Sequence, residues 1–281
     1  AITEAGLDPR YFILCTDDSH SATLIEDGHM DRVIRHAVSQ GVQPMTAIQM
    51  ATINTAEHFG LSRMMGLLAP GRFADILIVP NIKDFHADTV IAKGRVIAEQ
   101  GKLIISRDKR TYPDWAKNTI KLPRKKTAKD FRLSWEGNGS EIEANVIGIL
   151  ENQAPNKHLR MKVHVENGEV KADPAKDVAK IALVERHHNS GKVFVGLING
   201  MKLKPGCALG STVAHDCHQM IIVGSDDEMM AMAANELAAM GGGQIAVKDG
   251  KVVGKVVLPV AGLMSDQPAE VVAAEAATVL E

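Results

Sequence analysis

Residues 11–18 read Tyr-Phe-Ile-Leu-Cys-Thr-Asp-Asp, an almost entirely apolar run that stops at two carboxylates. A short continuous apolar run of this kind is typical of a strand that is buried on both faces, as in a parallel sheet or an α/β barrel. Asp17 and Asp18 would then lie at the carboxyl end of that strand, where α/β barrels place their catalytic groups. The run therefore predicts an α/β fold with a candidate site at the end of this strand.

Two helices and then a β-rich stretch are predicted after this run. Apolar residues recur at the spacing of one helix face over residues 30–38, and Pro44 suits the first turn of a second helix, over residues 44–59. From Gly66 onward the apolar runs become short and β-rich, with Lys93-Gly94 as a tight turn between two of them. This change of pattern predicts that a β-rich region follows the helices.

Residues 106–140 differ from the sequence on either side. They are charged, they include two prolines and a basic triplet at 124–126, and they have few long apolar runs. Such a composition predicts a linker or a surface excursion. The basic triplet is interpreted as part of a solvated loop rather than as a nucleic-acid site.

A second α/β pattern covers residues 141–281. Asn167-Gly168 and Asp249-Gly250 predict hairpin turns, and the acidic run at 226–228 predicts the beginning of a helix, where the helix dipole favours negative charge. Asp173-Pro174 predicts the beginning of another helix, which would extend to about residue 187. The Ala-rich residues after Pro268 predict a final helix.

The composition excludes several classes of protein. The chain has 281 residues, of which 45% are hydrophobic, enough to fill a sizeable core. Its 32 basic residues are balanced by 34 acidic ones, and the formal net charge of −2 argues against a general nucleic-acid binder. Three widely spaced cysteines indicate no disulfide framework. With no apolar run of ~18 residues and no signal-peptide pattern, the sequence predicts a soluble cytoplasmic protein without a nucleic-acid or membrane partner.

The first candidate site is the pair Asp17 and Asp18. An aspartate at the end of a barrel strand can bind a metal ion and take a proton from metal-bound water. The alternative, that one of the two carboxylates caps the next helix, is equally compatible with the spacing. His29 is a further candidate, because it precedes the apolar helix face instead of lying within it.

The second candidate site is the segment Ala214-His215-Asp216-Cys217-His218. A strand would send His215 and Cys217 to one face and Asp216 and His218 to the other, so only a turn would let all four converge. As an isolated zinc site the signal is weak, because no second Cys/His pair at ligand spacing lies nearby. The histidines at 187 and 188 are interpreted as structural groups at a helix C-terminus.

Several stretches of the sequence resemble a known enzyme superfamily. Residues 54–56 (Asn-Thr-Ala) and 69–76 (Ala-Pro-Gly-Arg-Phe-Ala-Asp-Ile) resemble the segment in which amidohydrolases leave a metal-dependent (β/α)8 barrel and return to a small β-domain. Further stretches narrow the resemblance to the adenine deaminases of that superfamily: residues 15–18, 26–31, 185–187, 214–218 and 241–243. The similarity covers nearly all of the chain, including the region after residue 141.

The resemblance implies a reaction and roles for particular residues. Adenine would be hydrolysed to hypoxanthine and ammonia at a binuclear centre of manganese, iron or zinc. Asp17 matches the aspartate ligand of the last barrel strand, and it would both bind metal and accept the proton of the attacking water. The residues implied in substrate binding or proton relay are Asp18, His29, His215, Asp216 and His218.

The resemblance also implies a fold class, α/β, with four regions. Residues 1–65 would be the last strand and helices of the (β/α)8 barrel, and 66–105 part of a small β-sandwich domain. Residues 106–140 would be the linker or excursion, and 141–281 a C-terminal α+β domain. The family's other metal ligands lie on earlier barrel strands, so we expect a chain that begins at Ala1 to lack its N-terminal half and to be inactive without it. That missing half and a second copy of the chain, in a homo-oligomer, are the expected protein partners.

Two other functions are compatible with the same motifs. The chain could belong to another amidohydrolase that acts on a cyclic amide or an N-acyl substrate, although the C-terminal domain argues against it. It could also be a non-enzymatic module that retains the C-terminal domain for binding or oligomerisation.

Overall fold

The computed structural model describes residues 1–106 and 111–280. The chain divides into two compact units, Ala1–Arg110 and Thr111–Glu281. Both helices and sheets are present, which confirms the mixed α/β class. None of the helices in the described residues has the length and apolar character to cross a membrane.

The first unit begins with helices and continues into a small sheet. The helices are α1 (Ile2–Ala5), α2 (Ser21–Glu26), α3 (Met30–Ser39), α4 (Pro44–Ala51) and α5 (Ile53–His58), with a 3-10 turn at Pro9–Tyr11. The strands are β1 (Ile76–Ile78), β2 (Thr89–Ala92), β3 (Arg95–Glu99) and β4 (Lys102–Leu103). They form an antiparallel sheet in the order β1-β2-β3-β4, and the predicted turn at Lys93-Gly94 is confirmed.

Helices α3 and α4 pack around a small apolar core. Ile34 is 3% exposed and Ala47 is fully buried, and both lie in one cluster with Phe85. The helix predicted over residues 44–59 is divided at Thr52, whose hydroxyl donates back to the carbonyl oxygen of Ile48 at 2.6 Å. Such back-bonding by a threonine competes with the regular helix hydrogen bonds.

The strand predicted over residues 11–16 is not formed. Tyr11 ends the 3-10 turn and is 86% exposed, and the described residues 12–16 belong to no helix or strand. The Leu14 N–H instead donates to the carbonyl oxygen of Met50, at 3.2 Å. A strand that is buried on both faces needs a neighbour on each edge and a layer on each face, so an apolar run by itself does not make one.

The second unit is built on a ten-stranded sheet. Its strands are β5 (Leu133–Ser134), β6 (Glu141–Gly148), β7 (Lys157–Glu166), β8 (Glu169–Val170), β9 (Val178–Val184), β10 (Val193–Asn199), β11 (Cys207–Ser211), β12 (Met220–Gly224), β13 (Gly243–Lys248) and β14 (Lys251–Val257). Their order is β14-β13-β11-β12-β9-β10-β6-β7-β8-β5, and the pairing is antiparallel except between β10 and β6. The predicted hairpins at Asn167-Gly168 and Asp249-Gly250 are confirmed as β7–β8 and β13–β14.

Two helices accompany this sheet, α6 (Asp227–Ala239) and α7 (Ala269–Leu280). Helix α6 buries Met230 and Leu237 completely against β11, β12 and β13. Asp226 caps it by accepting hydrogen bonds from the N–H groups of Glu228 and Met229, both at 2.9 Å, so the predicted acidic beginning of this helix is confirmed. Helix α7 packs along β14.

Residues 173–187 do not form the predicted helix. A 3-10 turn at Pro174–Lys176 leads into β9, which lies between β12 and β10 near the middle of the sheet. A central strand is covered on both faces, so its residues are mostly apolar, here with Lys180 as the exception. Periodicity cannot distinguish such a run from a buried helix.

The described part of the segment 106–140 also differs from the expected linker. Phe131 is completely buried in the core of the second unit, and β5 pairs with β8. The Lys121 N–H donates to the carbonyl oxygen of Arg186 at 2.9 Å. Residues 111–140 therefore fold with the C-terminal region. The charged composition of this segment is that of a loop, but the buried Phe131 side chain and main-chain hydrogen bonds attach it to the second unit.

Candidate active-site residues

Asp17 lies directly after the apolar run, in an unusual backbone conformation. Its φ is +53°, in the left-handed region, and its side chain is exposed. The Asp18 N–H donates to Asp17 Oδ1 at 2.8 Å. Aspartate is one of the few residues that adopt this region readily, because its short carboxylate bonds to nearby main chain. The two carboxylates thus occupy an exposed turn at the end of the run.

The proposed alternative role for this pair, capping the next helix, is not what the structure shows. Helix α2 begins at Ser21, and its N-cap residue is His20, which makes no capping hydrogen bond through its side chain. Asp17 and Asp18 precede the cap position.

His29 is the N-cap residue of α3 and is exposed. Its N–H donates to Asp31 Oδ1 at 2.8 Å, and Arg35 Nη1 bonds to Asp31 Oδ2 at 2.6 Å. Partial burial raises the pKa of Asp31, but the hydrogen bonds from Arg35 and the His29 N–H outweigh it and leave the pKa below its ordinary value. Asp31 therefore orders the beginning of α3 and forms an i, i+4 ion pair with Arg35.

Among the cavities in the described part of the first unit are a polar and an apolar one, and Asp17, Asp18 and His29 line neither of these two. A polar one of about 570 Å³ lies beside α3 and is lined by Glu26, Asp27, Arg32, Arg35, His36, Ser39 and His86. An apolar one of about 740 Å³ lies between α4, α5 and β1 and includes Ile48, Phe59 and Leu77.

In the second unit, residues 214–218 form a turn, here named the histidine turn. The His218 N–H donates to the carbonyl oxygen of Ala214 at 2.6 Å, and His215 Nδ1 lies 2.5 Å from Asp216 Oδ1. The imidazole rings of His215 and His218 meet edge to face with their centres 5.7 Å apart. Of the two conformations that the sequence allowed, the turn is the one formed, and it brings both imidazoles together.

A second turn, residues 187–190, lies beside the histidine turn. His187 Nε2 is 3.1 Å from the carbonyl oxygen of Cys217. This second turn is organised by Glu185, whose carboxylate accepts hydrogen bonds from the N–H groups of His187 and His188 and from the hydroxyl of Ser190, at 2.5, 2.7 and 2.7 Å. Burial raises the pKa of Glu185, yet these hydrogen bonds outweigh burial and lower the pKa to about 2. Glu185 is therefore an ionised carboxylate inside the protein.

Arg186 is the residue that sequence reasoning missed. It is 1% exposed, and its Nε donates to the carbonyl oxygen of His218 at 2.6 Å. The guanidinium also donates to Thr119 Oγ1 at 3.3 Å and to the carbonyl oxygen of Ala261 at 3.1 Å. Interpreting residues 185–188 as a helix C-terminus concealed this role. The available signal was a pair of charged residues directly after the mostly apolar run at 178–184.

The described residues do not assemble a complete metal site. No group of three or more His, Cys, Asp or Glu side chains in them is arranged to hold a metal ion. A binuclear centre needs several protein ligands, and Asp17 is a single carboxylate. Asp17 and Asp18 lie on one turn of the first unit, His29 lies farther along that unit, and the histidine turn lies in the second unit.

Comparison with known proteins gives a consistent result along the chain. Residues 153–281 match the model of the adenine deaminase C-terminal domain, and residues 1–97 match the model of the amidohydrolase family. The chain is 51% identical over 281 residues to adenine deaminase 3 of Rhizobium meliloti (strain 1021) and 50% identical over 282 residues to the adenine deaminase of Ruegeria pomeroyi. It is 42% identical over 279 residues to the adenine deaminase of Moorella thermoacetica.

These matches cover 99–100% of this chain but 47% of each of the three relatives. The chain thus spans about half the length of the relatives it matches. The resemblance inferred from the sequence motifs is confirmed: the chain is similar, from one end to the other, to the C-terminal part of adenine deaminases.

Proposed function

We propose, from this whole-length similarity to the C-terminal part of adenine deaminases, that the chain is part of an enzyme that hydrolyses adenine to hypoxanthine and ammonia. The observation that carries the proposal is the match of residues 153–281 to the adenine deaminase C-terminal domain, together with the amidohydrolase match over 1–97. In this reaction water adds at C6 of the purine and the exocyclic amine leaves as ammonia, so that atoms and charge balance.

Asp17 is assigned as the proton acceptor for the attacking water and as a metal ligand. Its exposed carboxylate at the end of the 11–16 run supports this role. A carboxylate in that position can take a proton from water and return it to the purine or to the leaving amine.

The proposed reaction requires bound metal ions, and the described residues of this chain do not by themselves form a complete metal site. We therefore assign Asp17 as one ligand of a binuclear centre of manganese, iron or zinc and place the other ligands outside the chain. When bound, such ions would lower the pKa of a coordinated water molecule towards about 7.

The substrate-contacting residues are assigned as Asp18, His29, His215, Asp216 and His218. Imidazoles and carboxylates offer both donors and acceptors to the ring nitrogens of a purine. The 2.5 Å contact between His215 Nδ1 and Asp216 Oδ1 supports a defined role for His215, since a carboxylate at Nδ1 leaves Nε2 of the neutral ring as an acceptor. Cys217 lies in the same turn but is given no role.

The remaining partners follow from the same similarity. The relatives are about twice as long as this chain, so we propose that a polypeptide equivalent to their remaining half completes the enzyme. That the chain forms a homo-oligomer and that it is located in the cytoplasm both remain predictions.

The test uses the purified 281-residue chain alone and co-expressed with the matching other half of the Rhizobium meliloti relative. Intact mass and metal content are measured together with ammonia release from adenine, ring opening of a hydantoin and acetate release from an N-acetyl sugar. We expect metal binding and turnover of adenine only in the completed enzyme. Two bound metals and adenine turnover in the lone chain would contradict the account of the ligands. Turnover of the hydantoin or the sugar, or of no substrate, would favour another amidohydrolase or a binding module.

A further inference from the structure

Two adjacent charged side chains, Glu185 and Arg186, are buried at the end of β9, and in the described residues they form no ion pair with each other. Glu185 is 9% exposed and Arg186 is 1% exposed. Each is satisfied mainly by the main chain of a different turn: Glu185 by N–H groups at 187–190, and Arg186 by the carbonyl oxygen of His218. Burying a charge is unfavourable unless hydrogen bonds satisfy it, so both groups depend on these main-chain partners.

Arg186 connects three separate segments of the second unit. Its side chain bonds to Thr119, His218 and Ala261, and its main-chain N–H donates to Gln219 Oε1 at 3.0 Å. Two of these contacts are at the end of the histidine turn, at His218 and its neighbour. A planar guanidinium donates hydrogen bonds in fixed directions. These bonds therefore attach the histidine turn to the second unit and also determine its position.

Gly262 shows that the position of the guanidinium is defined closely. Its φ is +71°, and a Cβ at this position would lie 2.9 Å from Arg186 Nη1. A side chain at this position is therefore disfavoured both by the backbone conformation and by the space that the guanidinium occupies. Thr212, completely buried, holds the same loop by donating to the Gly262 carbonyl oxygen at 2.6 Å.

The histidine turn that these residues hold is itself exposed. The side chain of His215 is 63% exposed and that of Asp216 is 92% exposed. The buried Arg186 thus holds the main chain of the histidine turn, although the side chains of His215 and Asp216 contribute little to the core.

We propose that Arg186 is a positioning residue, which holds the histidine turn so that the imidazoles of His215 and His218 meet a purine substrate in a defined orientation, while Glu185 holds the neighbouring turn at 187–190. The purine part of this inference rests on the proposed function. Arg186 itself, buried beneath the turn, does not contact the substrate.

The orientation of the turn is measured on the full 281-residue chain by carbon–proton correlation spectra of the histidine rings, with His215→Gln and His218→Gln used to assign the signals. Arg186→Met removes the donors, and Gly262→Ala displaces the guanidinium while keeping its charge. Lys180→Met is the matched control, because Lys180 is a buried cation of the same strand whose partners are Asp227 and the carbonyl oxygen of Phe131.

We expect the His215 and His218 signals to move towards the values of unstructured histidine in Arg186→Met and in Gly262→Ala, and to stay in place in Lys180→Met. Should Arg186→Met not fold, Gly262→Ala decides the question. Unmoved signals in the folded variants, or an equal movement in Lys180→Met, would overturn the positioning role.

The purine part is measured in the completed enzyme. Arg186→Lys keeps the charge but loses the guanidinium geometry. We expect the KM for adenine to rise about tenfold, while kcat changes by less than about twofold. This is the pattern expected when a lost interaction stabilises the bound substrate and the transition state equally. An unchanged KM would overturn this part. If the unsubstituted completed enzyme does not turn over adenine, the proposed function fails, while the spectra still decide whether Arg186 positions the turn.

Discussion

Lys180 on β9 and Asp227 in the first turn of α6 form an ion pair inside the second unit, with Nζ 2.7 Å from Oδ1 and 2.9 Å from Oδ2. The side chain of Lys180 is 2% exposed, and its ammonium also donates to the carbonyl oxygen of Phe131. One cation therefore connects the central strand, the main helix and the segment that precedes the sheet.

Removing the carboxylate of this pair is expected to destabilise the second unit strongly. Asp227→Asn leaves the Lys180 charge buried without its partner, which costs about 3 kcal/mol of unfolding free energy. Trp115 and Trp135, the two tryptophans of the chain, both lie in this unit, so their fluorescence during urea unfolding measures the loss. The control is Arg160→Gln, which removes an exposed pair with Glu143 and should cost less than about 1 kcal/mol. Equal losses in both variants would show that the burial of Lys180 has no energetic effect.

Asp17→Asn in the completed enzyme is expected to lower the rate of adenine deamination at least about 100-fold, because the amide can neither accept a proton nor supply a negative charge to a metal. The measurement is steady-state ammonia release together with metal content. Glu26→Gln, another exposed carboxylate of the same unit, is the control and should keep its activity. Near-normal turnover by Asp17→Asn would remove Asp17 from the site.

The stability of the second unit should depend on pH through Glu185. Its pKa is about 2 in the folded protein against an ordinary value of 4.5. Because the folded pKa is the lower of the two, the carboxylate contributes stability above about pH 4.5, and that contribution is lost as the pH falls from 4.5 towards 2. Glu185→Gln should therefore flatten the decline of unfolding free energy over this window, measured by urea unfolding at several pH values. Glu151→Gln, at an exposed turn, serves as the comparison and should leave the slope unchanged.

Gly28→Ala should disturb the beginning of α3. The φ of Gly28 is +99°, and a Cβ there would lie 2.6 Å from Asp31 Oδ1, the atom that accepts from the His29 N–H. We expect a loss of about 1–3 kcal/mol from the strained backbone, with additional disorder of His29. Amide hydrogen exchange of α3 measures it. Gly6→Ala is the matched control, because Gly6 also has a positive φ, +62°, but has open space around the Cβ position.

Much of the second unit could be predicted from local sequence patterns. The acidic beginning of α6 and the turns at Asn167-Gly168 and Asp249-Gly250 were all identified correctly. In each case the signal lies within a few residues: a carboxylate that caps N–H groups, or a residue that tolerates a positive φ between two strands. The resemblance to adenine deaminases likewise depended on short motifs.

The strand predicted over residues 11–16 and the helix predicted over residues 173–187 are both wrong for one physical reason. Residues 11–16 are apolar up to a terminal threonine, and residues 178–184 are apolar except for Lys180, yet the first segment forms no strand and the second is a central strand. What separates them is whether other segments supply hydrogen-bond partners and covering layers. A mostly apolar run carries no information about those partners.

The sequence by itself determined the local elements and turns, the mixed α/β class and the family resemblance, because hydrophobic periodicity, capping and turn preferences act over a few residues. Only the tertiary structure decided that Glu185 and Arg186 are buried and that Arg186 reaches the carbonyl oxygens of His218 and Ala261. These contacts join residues that are 32 and 75 positions apart. A buried charge is tolerated only where distant main-chain groups complete its hydrogen bonds, and the packing of the sheet and its loops is what places those groups.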